Sequence, residues 1–178
     1  MNNQLTRAHQ PIFERLKISK KQQLTKNSFL LEFEIPHASR LLYEHQAGQF
    51  VKIKFEAEEK EITRDYSFVS APYEQKLALA IKTNTQEGTA KQLFENYQVG
   101  DFLQVSQPMG RFTLNIKPNE KRTILGFASG IGITPIFSHI KNILHQEKGT
   151  RFFLFYSNKL AEDIVFKDEL SELQNIYG

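Results

Sequence analysis

The sequence predicts an antiparallel β-sandwich or small barrel followed by the start of a doubly wound parallel α/β unit. Three observations carry this expectation. Up to residue 116, apolar residues recur with period two between turns marked by glycine and proline. Residues 117–122 are polar and charged, as a linker would be. Beyond them an apolar strand, a glycine-rich turn and a helix-period segment follow one another, the order that opens a doubly wound fold.

Taken in order, residues 28–35 put Phe29, Leu31, Phe33 and Ile35 on one face. Residues 50–55 repeat this through Val51, Ile53 and Phe55, with Lys52 and Lys54 outward. Residues 76–83 do so through Leu77, Leu79 and Ile81. Residues 102–106 and 112–116 read as two more short strands. Gly48, Pro72, Gly88, Gly100, Pro108 and Gly110 punctuate the series. One helix interrupts it at 89–97, with Leu93 and Tyr97 four apart. After the linker, 123–128 reads as a strand and 129–134 as a turn. A helix runs from Pro135 through Ile136, Ile140, Ile143 and Leu144. Proline suits a first helical turn, where its missing N–H would be unpaired anyway. Gly149 stops that helix, 151–156 forms a second buried strand, and 161–173 a second helix with Ile164, Leu170 and Leu173 inward. The expected division is 1–117 and 118–178. Two strands bury too little surface to stand alone. The second unit is therefore expected to be the first part of a longer domain, or to pair as a homodimer through its unfinished sheet.

Composition narrows the function. With 23 Lys and Arg against 20 Asp and Glu, the net charge is only +3, and no basic stripe marks a nucleic-acid surface. No run approaches the ~18 apolar residues of a membrane helix, and the N-terminus lacks the apolar core of a signal peptide. A soluble cytoplasmic protein is expected. The chain has no cysteine, which excludes disulfides, thiolate zinc sites, Cys-ligated iron–sulfur clusters and thiol nucleophiles within it. His9, His37, His45, His139 and His145 form no helical i,i+3 or i,i+4 pair, so no metal site is expected.

Four motifs carry chemistry. Arg64-Asp65-Tyr66-Ser67 offers a guanidinium for bidentate phosphate binding, a ring able to stack on a flat heterocycle, and a hydroxyl able to donate to a ring nitrogen. Gly88-Thr89-Ala90-Lys91 opens a helix whose free N–H groups and dipole favour an anion. Lys82 adds a cation at the end of the preceding strand. Gly130-Ile131-Gly132-Ile133-Thr134-Pro135 lies between strand and helix, where glycines let a dinucleotide pyrophosphate approach the backbone. It lacks the Gly-Lys-Ser/Thr of ATPase loops, and Pro135 stands where the usual fingerprint has its third glycine. Ser157-Asn158-Lys159 follows the second parallel strand, where a cation suits a ribose 2′-phosphate. Each motif alone is also what an ordinary surface strand, tight turn or solvated lysine looks like.

Their order and spacing, with Pro108-Met109-Gly110-Arg111-Phe112 between the second and third, resemble the ferredoxin–NADP reductase family over nearly the whole chain. The opening, from Phe13-Glu14-Arg15-Leu16 to Ala47-Gly48-Gln49-Phe50, looks most like the branch containing the reductase component of phenylacetyl-CoA oxygenase. The resemblance implies a six-stranded antiparallel flavin barrel, then a pyridine-nucleotide domain. It implies that Arg64 binds the FAD pyrophosphate, Tyr66 packs on the isoalloxazine or ribityl chain, and Ser67 lies near flavin N5. Ala80, Ile81 and Lys82 would run along the cofactor, and Gly88, Thr89, Ala90 and Lys91 would hold its pyrophosphate. Gly130, Gly132 and Ile133 would face the pyrophosphate of NADPH, and Thr134 would sit near both flavin and nicotinamide. Ser157 and Lys159 would sense the adenosine ribose, favouring NADPH over NADH. Electrons would pass from NAD(P)H through FAD to a one-electron acceptor: a ferredoxin-like cluster, a flavodoxin, a haem protein, an oxygenase component or an appended [2Fe–2S] domain. The alternative is an FAD-carrying subunit or ligand-binding barrel that needs a partner chain. The sequence departs from the family at Lys91, where Ser or Thr is frequent. It also lacks the later strands, the Cys-Gly segment and the Cys-rich cluster domain, in keeping with its zero cysteines.

Overall fold

A computed structural model describes residues 10–83 and 88–177. Residues 1–9, with His9 and most of the segment read for a leader, lie outside them. Eight strands and three α-helices follow in order: β1 (Phe13–Thr25), β2 (Ser28–Glu34), β3 (Phe50–Ala57), β4 (Lys60–Ser67), β5 (Leu77–Lys82), α1 (Thr89–Asn96), β6 (Phe102–Ser106), β7 (Thr123–Ser129), α2 (Ile133–Gln146), β8 (Arg151–Ser157) and α3 (Lys167–Tyr177). Six strands form one antiparallel sheet in the order β4-β3-β6-β1-β2-β5, and β7 and β8 form a parallel pair.

The six-stranded sheet curls around one core. Its inward positions carry Leu16, Ile18, Phe29, Leu31, Val51, Ile53, Leu79 and Ile81, and α1 plugs the end with Leu93 and Phe94. The apolar period does not reveal β4, which is exposed along most of its length, nor does it reveal β1. Its first half alternates through buried Leu16 and Ile18, but a register shift follows Ile18, and Lys21 and Gln23 then take the inward positions opposite Leu31 and Phe29. Both have structural work there. Lys21 Nζ donates to the Phe94 carbonyl and, at 2.9 Å, to the Tyr97 carbonyl, where a cation meets the negative end of α1. Gln23 Nε2 donates to the Ser28 carbonyl at 3.1 Å and steadies the hairpin.

β5 is buried on both faces. Leu77, Leu79 and Ile81 point into the barrel, while Ala78 and Ala80 face Ile133, Ile136, Phe137 and Ile140 of α2 across a second core. Small side chains on that outer face let the helix come close. α2 thus lies between the barrel and the β7–β8 pair, whose inner face packs on it through Phe152 and Leu154. The opposite face of the pair is exposed and apolar, carrying Leu125, Phe127, Phe153 and Phe155, with the Phe127 and Phe155 rings stacked at 4.9 Å.

Three expectations are corrected. Residues 112–116 form no strand, because the backbone there leaves the sheet and the Phe112 carbonyl accepts instead from His139 Nε2 at 2.8 Å. α2 begins at Ile133, directly after a 3-10 turn over Gly130–Gly132, so Pro135 falls inside the first turn rather than opening it. The predicted helix over 161–173 is a 3-10 turn at Ala161–Asp163, then buried Val165 and Phe166, then α3. Phe166, at φ 62°, reverses the chain and stacks on Phe137 at 4.3 Å, so the apolar run Ile164-Val165-Phe166 packs as a loop.

The polar linker is tied down by one carboxylate. Glu147, whose side chain is 0% exposed, accepts from Arg122 Nε at 3.0 Å, from the Lys117 N–H at 2.8 Å and from Thr150 Oγ1 at 2.7 Å.

Candidate functional site

The barrel closes only partly. Among the described residues, the end of β4 meets β5 through a bridge between Phe68 and Leu79 and a 2.9 Å bond from the Val69 N–H to the Ala78 carbonyl. Tyr66, Arg64 and Ile62 pair across from Val51, Ile53 and Phe55 and so share their inward face. Ile62 and Tyr66 pack against the core, yet Arg64 between them is exposed. A guanidinium on an inward face that still reaches solvent marks a slot beside the β4 edge. Its NH1 donates to the Thr63 carbonyl at 3.0 Å, leaving most of its fork for a ligand. Burial pushes the Tyr66 phenol up to about 12, against the pull of the Arg64 charge, so it stays neutral. Asp65, on the outer face, pairs with Lys52 at 2.7 Å. Ser67 closes β4 opposite Phe50 and is half-buried.

Gly88 is the N-cap of α1 in extended conformation, and among the described residues no side chain caps the helix. The Lys91 N–H bonds the Gly88 carbonyl at 2.9 Å, while Thr89 and Ala90 present the first helical N–H groups. Lys91 pairs with Glu95 at 3.5 Å. Of the β5 residues, the Ala80 and Ile81 side chains are spent on the two cores, and Lys82 alone emerges half-buried.

At the β7–α2 turn, Gly130 takes φ 51°, and a Cβ on Gly130 or on Gly132 would meet no atom within 4 Å. Bare backbone faces open space there. Ile133 is fully buried in the second core, so only main-chain atoms of that residue can serve a ligand. Thr134 sits in the first turn of α2 and is 6% exposed. One helical turn later, Ser138 Oγ donates to the Ser70 carbonyl at 2.7 Å. That bond ties the segment following Ser67 to the helical turn following Thr134. Ser157 ends β8, and Lys159 follows it, exposed. Lys82, Lys91 and Lys159, from three separate elements, border one cavity of about 790 Å³.

The sequence profile of the oxidoreductase FAD-binding domain matches residues 15–114, more than half of the chain, and that of the oxidoreductase NAD-binding domain matches 127–178. The chain belongs to the ferredoxin–NADP reductase family of FAD- and NAD-binding oxidoreductases. It is 25% identical over 165 residues to one of the subunits of 1,2-phenylacetyl-CoA epoxidase from Escherichia coli K12, covering 93% of this chain and 46% of that protein. It is 32% identical over 162 residues to NADH-cytochrome b5 reductase 1 of Lodderomyces elongisporus, covering 90% and 53%. Phthalate dioxygenase reductase aligns with a TM-score of 0.74 at 29% identity, over 89% of this chain and 48% of that one. Ferredoxin–NADP reductase from Plasmodium falciparum shares the fold at a TM-score of 0.80, with 23% identity over 93% and 69%. The chain spans about half the length of the curated relatives it matches. No helix among the described residues is long and apolar enough to cross a membrane.

The residues of this reductase-family chain fit its two cofactors. A flavin pyrophosphate would meet the exposed Arg64 fork and the N-terminus of α1, and a dinucleotide would meet glycine backbone that faces open space. Three supporting residues lie outside the sequence motifs. The Tyr156 hydroxyl donates to the Gly130 carbonyl at 3.0 Å and accepts from the Val165 N–H at 3.3 Å, bracing the glycine turn from behind. His139 and Glu147 fix the joint and the linker. Local sequence does not mark these roles, since Tyr156, His139 and Glu147 reach Val165, Gly130, Phe112, Arg122 and Lys117 across 9 to 30 residues, although Glu147 also accepts from nearby Thr150.

Proposed function

We propose that this chain is the flavin-carrying part of an NAD(P)H reductase, with Arg64 and the α1 N-terminus holding the FAD pyrophosphate and the Gly130–Gly132 turn receiving NADPH. The observation that carries the reading is Arg64, inward-facing yet exposed at the β4 edge. The bound flavin would supply the hydride acceptor and the one-electron steps that follow. The protein positions and shields. Neutral Tyr66 offers its ring to the isoalloxazine, and the Ser67 hydroxyl donates toward N5. Thr134 places the nicotinamide, and the Ser138–Ser70 bond keeps it in register with Ser67. No side-chain acid or base is needed for hydride transfer to the flavin. Phthalate dioxygenase reductase passes electrons from pyridine nucleotides to [2Fe–2S], which supports a one-electron acceptor of that class here. Lys159 favours NADPH over NADH.

The exposed aromatic face of β7 and β8 favours a second reading, in which FAD is held but the nucleotide unit works poorly until that face is covered. A visible spectrum of the purified chain, before and after anaerobic NADPH, tests both. Flavin bands that bleach support the reductase; bands that persist support the second reading. A colourless protein that takes up no added FAD overturns both.

A further inference from the structure

We propose that the β1–β2 hairpin of the barrel belongs to the nucleotide site, with Lys26 joining Lys82 and Lys159 to bind the 2′-phosphate of an adenosine nucleotide in the cavity between the two units. The proposal rests on the reading above and deepens it, by naming a specificity residue that lies outside all four sequence motifs.

The cavity of about 790 Å³ is of a size that takes a nucleotide. Lys26, Lys82, Lys91 and Lys159 line it, against the carboxylates of Glu95 and Asp163. Glu95 is engaged by Lys91 at 3.5 Å. Among the described residues, the ammonium groups of Lys26, Lys82 and Lys159 enter no ion pair and no hydrogen bond. Three such cations around one concavity repel one another and concentrate anions. A dianionic phosphate resolves that repulsion, and lysine suits it as a point charge with three donors.

The hairpin is fixed where this requires it. The Thr83 N–H donates to the Asn27 carbonyl at 2.8 Å, which ties the residue after Lys26 to the residue after Lys82. Thr25 Oγ1 and Ser28 Oγ bond at 2.7 Å across the turn. On the other wall, Asn158 immediately precedes Lys159. Its amide nitrogen and oxygen are both buried and lack a well-formed hydrogen bond among the described residues. The Tyr156 hydroxyl lies close to that amide but is committed to Gly130 and Val165.

The test uses the purified, FAD-loaded chain and two probes, adenosine 2′,5′-bisphosphate and 5′-AMP, titrated by calorimetry. Lys26 is exposed, so Lys26→Ala and Lys26→Glu leave the core intact. The bisphosphate is expected to bind wild type about tenfold more tightly than 5′-AMP, and Lys26→Ala to remove most of that advantage. Lys26→Glu should weaken the bisphosphate further, with 5′-AMP affinity and FAD content unchanged in Lys26→Ala. Wild-type affinity for the bisphosphate in Lys26→Ala would overturn the proposal, as would equal binding of the two probes by wild type. Loss of FAD in Lys26→Ala with bisphosphate binding intact would also overturn it, by assigning the cavity to the flavin. In each of those cases flavin bands and their response to NADPH would leave the reductase reading standing.

Discussion

His139 occupies the space that any side chain on Gly48 would need. A Cβ at Gly48 would lie 2.3 Å from His139 Nε2 and 1.8 Å from the Phe112 carbonyl oxygen to which that nitrogen donates. Burial holds the imidazole below its usual pKa, against the pull of the Phe112 carbonyl, so the neutral ring makes this bond. Gly48 also takes φ 88°, where L side chains are strained. Gly48→Ala is expected to lose more than about 3 kcal/mol of stability, because clash and backbone strain add. Gly100 has a similar φ of 101° with nothing within 4 Å, so Gly100→Ala should show the strain alone, about 1 kcal/mol. Urea unfolding of the two variants separates the terms, and equal losses would remove the steric role of His139.

Glu147 gives the joint a pH dependence. Burial alone would raise its carboxyl pKa, but the bonds from Arg122, the Lys117 N–H and Thr150 outweigh burial and leave it lowered. A carboxylate with a lowered folded pKa stabilises fully above its unfolded pKa and loses that contribution as pH falls through the folded one. Glu147→Ala should cost about 3 kcal/mol at pH 7. The gap from wild type should narrow below the ordinary carboxylate range. A gap that stays constant down to pH 3 would assign the loss to packing.

Legibility in the sequence followed one-sided burial. β3 and β6 alternate cleanly because one face meets the core and the other meets water, and their period-two runs show it, whereas β2 buries Leu30 against the second core as well. β1 hid because Lys21 and Gln23 hold backbone carbonyls from inward positions where apolar residues are expected. Residues 112–116 alternate just as a strand does, but with the Phe112 carbonyl taken by His139 the segment has no ladder to join. Gly88 and Gly130 stand out in the sequence because a helix N-cap and a turn at positive φ constrain residue type locally. Tyr156, His139 and Glu147 do not, since each acts on a segment the sequence does not place beside it.

Arg64→Ala should empty the flavin site while sparing the fold. The side chain is exposed and donates to its neighbour's carbonyl, so the stability change should stay within about 0.5 kcal/mol. Losing a bidentate phosphate contact should weaken FAD binding at least about tenfold. Lys159→Ala should leave FAD content unchanged. The ratio of flavin to protein absorbance after purification checks both, and equal occupancy in wild type and Arg64→Ala would withdraw Arg64 from the site.

Tyr156 offers a way to disturb the nucleotide turn without touching the flavin slot. Its hydroxyl joins the Gly130 carbonyl to the Val165 N–H, and burial raises its pKa, so the proton that donates to Gly130 is retained. Tyr156→Phe keeps the ring against the second core and removes both bonds. The Val165 N–H is then left unpaired beside a buried side chain, and about 1–2 kcal/mol of stability should go with it. Freed from its brace, the Gly130 peptide no longer holds one orientation toward the dinucleotide, and NADPH should bind about fivefold more weakly. FAD content should match wild type, because Arg64 and α1 lie on the barrel. Flavin absorbance per protein and the NADPH dependence of anaerobic bleaching measure the two effects separately. Parallel loss of both would show that the turn and the flavin slot do not bind independently.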